Sequence, residues 1–354
     1  MPGLSKLQWL IPGICALFLA GCNPFSEARP MMTEYLERLA RVLEAPAVSL
    51  PEELPPASQL PRRRDRVLDM PELDIGMLEF LSLYGCELQY VVGEKNSVMG
   101  KVMQPVNRLR YEVRFIRAAE DCLPEVDDEE LGETLAEAIE SKQDSLPRAV
   151  WNATWGTEEI ENLFTLSKGF YPVGEGQLPV SDLLRDLEQL SETVTALSRQ
   201  QLDVSLNNLG AIHQRWQAEY RAGQLVNSAR LLIATLDTGT EVLQARLAER
   251  PLCLNGKPNN QSDIVHSFFF SVYIGEVQPY MSDVSRAADT LIAGFADLAA
   301  KQEAQMPEAF GGWARRHLQA GEEGSLWHQL DGAMMRHTRH WQQLLEQCGL
   351  RPGA

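Results

Sequence analysis

The stretch Ala229-Arg230-Leu231-Leu232-Ile233-Ala234-Thr235-Leu236-Asp237-Thr238-Gly239-Thr240 decides the fold class by its apolar spacing. Extended both ways, Leu225, Ala229, Leu232, Leu236, Gly239, Leu243 and Leu247 step by four and three up to Pro251. That rhythm lays one face of an α-helix against a core. Upstream, Leu183, Leu187, Leu190, Val194 and Leu197 repeat it from Ser181, and Leu202, Leu206, Leu209, Ile212, Trp216 and Tyr220 continue it with a shift of phase. Gly223 reads as the break between the two runs. The pattern predicts two long antiparallel helices, each about 35 Å or more at 1.5 Å per residue.

The flanks extend the same reading. After Cys253 and a polar loop over 254–262, Ser262 or Asp263 caps a helix containing Phe268, Phe269, Phe270, Val272, Tyr273, Ile274 and Val277. It is apolar all round, as in a helix enclosed by others. Pro279 should kink it, and Val284, Ala288, Leu291, Phe295 and Leu298 carry it on. A last helix starts at Ser325 and holds Trp327, Leu330, Met334, His337, Trp341, Leu344 and Cys348 in step. Towards the N-terminus, Met32, Tyr35, Leu36, Leu39, Val42 and Leu43 form a first amphipathic helix, with further helices over 74–93 and 104–121, the latter opened by Pro105. Its Arg110, Arg114 and Arg117 form a stripe suited to pairing with 125–140, which carry eight acids and no base. The aromatic region from Trp151 to Tyr171 reads as short helices and loops. No β-alternation is found, so the fold class is all-α: an elongated multi-helix bundle with long antiparallel helices.

Residues 46–61 hold Pro46, Pro51, Pro55, Pro56 and Pro61 and read as a stiff, extended connector. Arg62, Arg63, Arg64 and Arg66 follow. They suit either lipid phosphates and acidic cell-wall polymer or, preferably, a solvated turn paired with the acidic body.

The N-terminus sets the expected address. Lys6 precedes an apolar run from Leu7 to Ala20 that is too short to span a bilayer as a mature helix. The run ends in Leu19-Ala20-Gly21-Cys22, which resembles a bacterial lipobox, where the cysteine is acylated and the signal cut just before it. The competing readings are an ordinary signal peptide and an uncleaved anchor. Several buried acyl chains such as palmitate, at about 0.8 kcal/mol per CH₂, hold a protein on a membrane. Asn23, in place of the Asp that retains many lipoproteins at the inner membrane, points to the outer membrane. The expected organisation is therefore a signal peptide over 1–21, a lipid-anchored tether over 22–30, and a single helical domain over 31–354 with the 46–66 connector inside it.

Composition bounds the partners. The net charge of −17 becomes −18 once Lys6 leaves with the signal, which argues against nucleic acid. Once Cys15 leaves with the signal and Cys22 takes lipid, four cysteines remain: Cys86, Cys122, Cys253 and Cys348. In an oxidising compartment they read as two disulfides. Of three connectivities, Cys86–Cys122 and Cys253–Cys348 are preferred, because each pair brackets a segment able to fold back on itself. Either loop would contribute on the order of 4 kcal/mol in the chain-entropy picture.

One segment is distinctive as a motif. Glu94-Lys95-Asn96-Ser97, then Gly100-Lys101-Val102-Met103-Gln104-Pro105, then Arg108-Leu109-Arg110-Tyr111-Glu112 resemble the signature of a proteobacterial lipoprotein family, domain of unknown function 3080. Pro61-Arg62-Arg63-Arg64-Asp65, Arg250-Pro251-Leu252-Cys253, Val277-Gln278-Pro279-Tyr280 and the closing Trp341 to Leu350 extend the resemblance over most of the mature chain. It implies a lipoprotein and assigns no activity. Lys95 stands where Arg is expected. The cluster Glu94, Lys95, Asn96, Ser97, Gln104 and Arg108 either caps a helix–helix turn or forms a binding site.

Catalytic signatures are absent. There is no HExxH, GxSxG, Walker loop or CxxCH. His337 and His340, one turn apart with His328 upstream, have metal-like spacing but fall on different faces, so core or interfacial histidines are the preferred reading. Asn152-Ala153-Thr154 matches a glycosylation sequon. No cofactor or metal is expected, and enzymatic activity is not favoured. The expected function is an outer-membrane-anchored periplasmic lipoprotein that binds or scaffolds an envelope protein or cell-wall component. The alternative is a small-ligand carrier or enzyme with a pocket near 94–112 or 268–280.

Overall fold

A computed structural model describes residues 27–71, 85–96, 103–176 and 178–350. Cys22, the 1–21 segment, most of the tether and Ser97 lie outside the described residues, as does the first part of the helix expected over 74–93. Among the described residues there is no strand, and an all-α bundle carrying the disulfides Cys86–Cys122 and Cys253–Cys348 forms as expected.

The helices are α1 (Ala28–Val42), α2 (Glu87–Asn96), α3 (Pro105–Cys122), α4 (Glu129–Thr154), α5 (Glu158–Leu163), α6 (Ser181–Ser198), α7 (Asn207–Trp216), α8 (Arg221–Glu249), α9 (Asn260–Phe268), α10 (Gln278–Ala300), α11 (Glu308–His317) and α12 (Leu326–Glu346). None of them is long and apolar enough to cross a membrane.

The longest, α8, has 29 residues, about 43 Å at 1.5 Å per residue. It runs straight through Gly223, so that glycine is not the expected break. A Cβ there would lie 2.0 Å from the Thr165 carbonyl oxygen; the glycine is present for close backbone approach. The breaks fall at 199–206, where Gln200 takes φ +57°, and at 217–220. The phase shift between Leu197 and Leu202 is the first of these, and it divides the upstream run into α6 and α7.

α8 does not pair with that run. It packs chiefly on α12 and α1, and also on α10. Asp237 meets Arg336, Thr240 meets His337 and Gln244 meets His340, so numbers rise together and α8 and α12 run parallel. The antiparallel relation lies between α12 and the rod α9–α10: Trp341 packs on Phe268 and Phe269, Thr338 bonds Tyr273, and Met334 meets Ser285.

That rod is continuous, but Phe269–Val277 at its centre is a π-helix. In an α-helix the Pro279 ring would crowd the preceding turn and leave a carbonyl without its donor. Wider turns ahead of it relieve both, so the expected kink is expressed as a nine-residue π segment. Phe270 in this segment is 44% exposed, so the rod is not enclosed all round.

α3 and α4 form a hairpin. Asp128 caps α4 by accepting the Leu131 N–H at 2.9 Å, and the acids that follow favour the positive end of the helix. α4 continues past Pro147 to Thr154, so Trp151 is helical rather than irregular. The arginine stripe looks elsewhere than to 125–140. Arg110 donates to the Leu206 and Asn207 carbonyls, and Arg114 pairs with Glu94 and Glu87. α2 begins only at Glu87, after Gly85 at φ +101°, and continues to Asn96.

Residues 46–61 are extended, yet they do not stand off as a stalk. Pro51 and Glu52 carbonyls accept from Arg29, those of Leu54 and Pro55 from Arg230, and that of Ser58 from Trp313 Nε1. Proline-rich chain carries carbonyls without a full set of N–H donors of its own. Here the bundle supplies the donors and the segment becomes a strap. Arg66, fully buried, ends it by donating to the carbonyls of Pro61 and Trp155 and pairing with Glu161. The preferred intramolecular reading of this arginine group holds for Arg63, which pairs with Glu158, and for Arg66.

Candidate functional site

The signature residues converge where α2, α3 and α4 meet. α2 lies on α3, pinned by Cys86–Cys122 with Cα atoms 5.7 Å apart. Gln104 is the exposed N-cap residue of α3, and its carbonyl accepts the Arg108 N–H at 2.9 Å. Pro105 fills the first turn, where its missing N–H costs nothing.

One turn in, Arg108 Nε donates to Glu112 Oε1, and Glu112 Oε2 faces Lys142 Nζ at 2.7 Å. The Glu112 and Lys142 side chains are both fully buried. Tyr111 collects the cations: Lys142 and Arg108 lie 5.5 Å from its ring centroid and Lys95 5.8 Å. Lys142 is also 5.5 Å from the Phe115 ring. Each such contact contributes roughly 0.5–2 kcal/mol, more where desolvated. Burial pushes the Lys142 ammonium down from its usual range, against the pull of Glu112, and pushes the Tyr111 hydroxyl up. The pair closes on itself and ties α3 to α4. It positions Arg108 rather than presenting an acid–base couple to solvent.

The outer face differs. Glu87, Tyr90 and Glu94 share one side of α2, and Arg114 reaches both acids, Glu94 at 2.8 Å and Glu87 at 4.0 Å. Tyr90 stands between them, 74% exposed. The structure thus brings Lys95 and Arg108 together at the Tyr111 ring, with Gln104 capping the same helix, and sets Glu94 on the outer face against Arg114. Tyr90, Arg114, Glu112 and Lys142 join them, and the sequence reading did not single out those four as site residues. Tyr90 had a signal: it is the one aromatic off the apolar side formed by Leu88, Val91 and Val92.

The histidine set is engaged internally. Thr240 Oγ1 donates to the Leu236 carbonyl at 2.6 Å, so it accepts from His337 Nδ1–H at 3.1 Å. His337 Nε2 then accepts from Tyr35 Oη at 2.6 Å and from Trp341 Nε1 at 3.1 Å. His340 Nδ1 donates to the Arg336 carbonyl at 2.8 Å, leaving Nε2 to accept from Gln244. No group of three or more His, Cys, Asp or Glu suited to a metal occurs among the described residues. Asn152, of the sequon, is buried, and its amide exchanges two 2.8 Å hydrogen bonds with the Leu68 backbone. Its side chain is spent holding the chain just past the strap rather than presented to a glycan.

A family model described as a protein of unknown function (DUF3080) matches residues 32–352. No curated protein and no solved structure matches the chain.

Proposed function

We propose that this chain, which belongs to the DUF3080 family, is an outer-membrane-anchored periplasmic lipoprotein. In this reading it is a binding or scaffold module for an envelope protein or cell-wall component, and it docks through the outer face of α2. The observation that carries the docking assignment is Tyr90, a large aromatic 74% exposed inside a frame of Glu87, Glu94 and Arg114. Tyrosine and arginine are enriched in interface centres, where one amphipathic ring contributes much of the binding energy. Lys95 and Arg108 on the neighbouring turn add positive charge to a chain whose net charge is −17.

The anchor assignment is supported by Leu19-Ala20-Gly21-Cys22 and by α1 beginning at Ala28, six residues after Cys22. Two disulfides in one chain fit an oxidising compartment. His337 and His340, the pair with metal-like spacing, are tied up in internal hydrogen bonds, which favours binding over catalysis.

Two experiments test the proposal. Labelling with an alkynyl palmitate analogue should mark the protein, and Cys22→Ala should abolish the mark and release the chain from the membrane fraction. A photo-crosslinking residue at position 90 should give one discrete adduct in cells, with none from the exposed control position Glu241. Equal adducts from both positions would remove the docking assignment and leave the anchor untouched.

A further inference from the structure

A cavity of about 290 Å³ lies between α10 and the connection from α11 into α12. Its walls are apolar: Ile292, Leu318, Trp327 and Leu330 are each no more than 5% exposed. The Trp327 indole N–H is occupied, donating to the His317 carbonyl at 2.7 Å, so the ring offers the cavity only its apolar body. Asp289 of α10 and Asp331 of α12 stand on the lining, and both are exposed at the opening. Two basic groups lie nearby. The Arg286 guanidinium is held by Asp283 at 2.5 Å. His328, one turn before Asp331, draws the Asp331 carboxyl downward but is outweighed. Partial burial and Asp289 together push the Asp331 carboxyl above its usual range against the opposing pull of His328, as expected of two acids sharing an opening.

We propose that this cavity binds a small amphiphile with an apolar chain and a cationic amine head, the chain against Ile292, Leu318, Trp327 and Leu330 and the ammonium between Asp289 and Asp331. The shape selects the chain. The volume is at the small end of ligand sites and suits a tail of about eight carbons, each buried CH₂ contributing about 0.8 kcal/mol. The carboxylates select the sign: a carboxylate- or phosphate-headed lipid of the same length would add a third negative charge to the opening. The indole face adds a cation–π contribution if the head sits over Trp327. This site is on a different part of the bundle from the α2 face and does not depend on it.

The test is calorimetric titration of the purified full-length protein with octylammonium, octanol and octanoate in turn. Octylammonium should bind saturably with one site. Octanol should bind at least about tenfold more weakly, and octanoate should not bind. Asp289→Asn with Asp331→Asn should remove about tenfold in affinity, a difference of 1.4 kcal/mol, and the octylammonium affinity should fall with added salt. Ala293→Trp, at the exposed rim of the cavity, should block entry while leaving the thermal midpoint in place. Equal affinity for the three probes, or octylammonium binding unchanged by Ala293→Trp, would overturn the assignment.

Discussion

The Tyr35 hydroxyl meets His337 Nε2 at 2.6 Å across 302 residues of chain. Trp341 Nε1 donates to both, at 3.0 Å and 3.1 Å, and the Phe268 and Tyr273 rings close over Tyr35. The first described helix is thereby locked to the last one through a neutral imidazole with no exposed surface. Gly239 makes room for it: a Cβ there would lie 2.8 Å from His337 Cε1.

Stability should fall with acid because of this imidazole. Burial lowers the His337 pKa to about 3 from the usual 6.5. The unfolded chain therefore takes up a proton that the folded one refuses at any pH between those values, and stability is lost as pH drops through that window. Between pH 7 and pH 5 the loss is about 2 kcal/mol from His337. His317, lowered by burial to about 4, adds a comparable amount. Urea unfolding at the two pH values measures the sum, and His337→Gln should show roughly half the pH dependence of the parent. An unchanged dependence would remove His337 from the account.

The buried pair gives a second test. Lys142→Met leaves Glu112 with Arg108 alone, and Glu112→Gln leaves two cations around Tyr111 without their acid. Each single replacement should cost about 3–5 kcal/mol, since a buried charge loses a partner. The double replacement should recover a large part of that in thermal unfolding. Additive losses would mean that the two side chains act independently.

Gly223→Ala should be severe for a residue near a helix start. The new methyl would overlap the Thr165 carbonyl, and backbone on both sides must separate. A loss of about 2–4 kcal/mol is expected, whereas Gly132→Ala in α4, with open space around its Cβ position, should be neutral or slightly stabilising. Denaturant midpoints of the two variants make the comparison.

These cases show what the one-dimensional pattern carries. Stripes such as Met32–Leu39 and Leu225–Leu247 were legible because helical periodicity is local. The cysteine pairs were legible because each brackets a segment that folds back. Gly223 was misread because its role is set by Thr165, which adjoins it only in the folded chain. Lys142 sits in a polar run, Ser141-Lys142-Gln143-Asp144, and nothing local says that Glu112 waits 30 residues upstream. Part of the candidate cluster was legible as neighbours, since Lys95 and Arg108 meet at the Tyr111 ring, whereas Glu94 faces Arg114. The site's exposed ring and its buried floor came only from how α2, α3 and α4 stack.

The strap follows the same logic and can be tested by its susceptibility. Five prolines announced an extended segment, but whether it stands away or lies down depends on Arg29, Arg230 and Trp313. Arg230→Ala removes the donor to the Leu54 and Pro55 carbonyls and should open residues 46–61 to limited proteolysis at least several-fold faster, with little change in helical content. Cleavage at the parent rate would show that the remaining donors suffice.

The disulfide Cys253–Cys348 lies just past the C-terminal ends of α8 and α12, the two parallel helices, where the Leu252 N–H also donates to Gln347 at 2.8 Å. Two rods riveted at one tip behave as a pair of shears. The rivet holds the tips together, and any splaying has an amplitude that grows with distance from it. At the far end of α12, about 30 Å away at 1.5 Å per residue, stand Trp327 and the mouth of the apolar cavity. The covalent link thus sets the fixed end: the Asp237–Arg336 and Thr240–His337 bonds hold the middle of the seam, and the Trp327 end is the one farthest from the rivet.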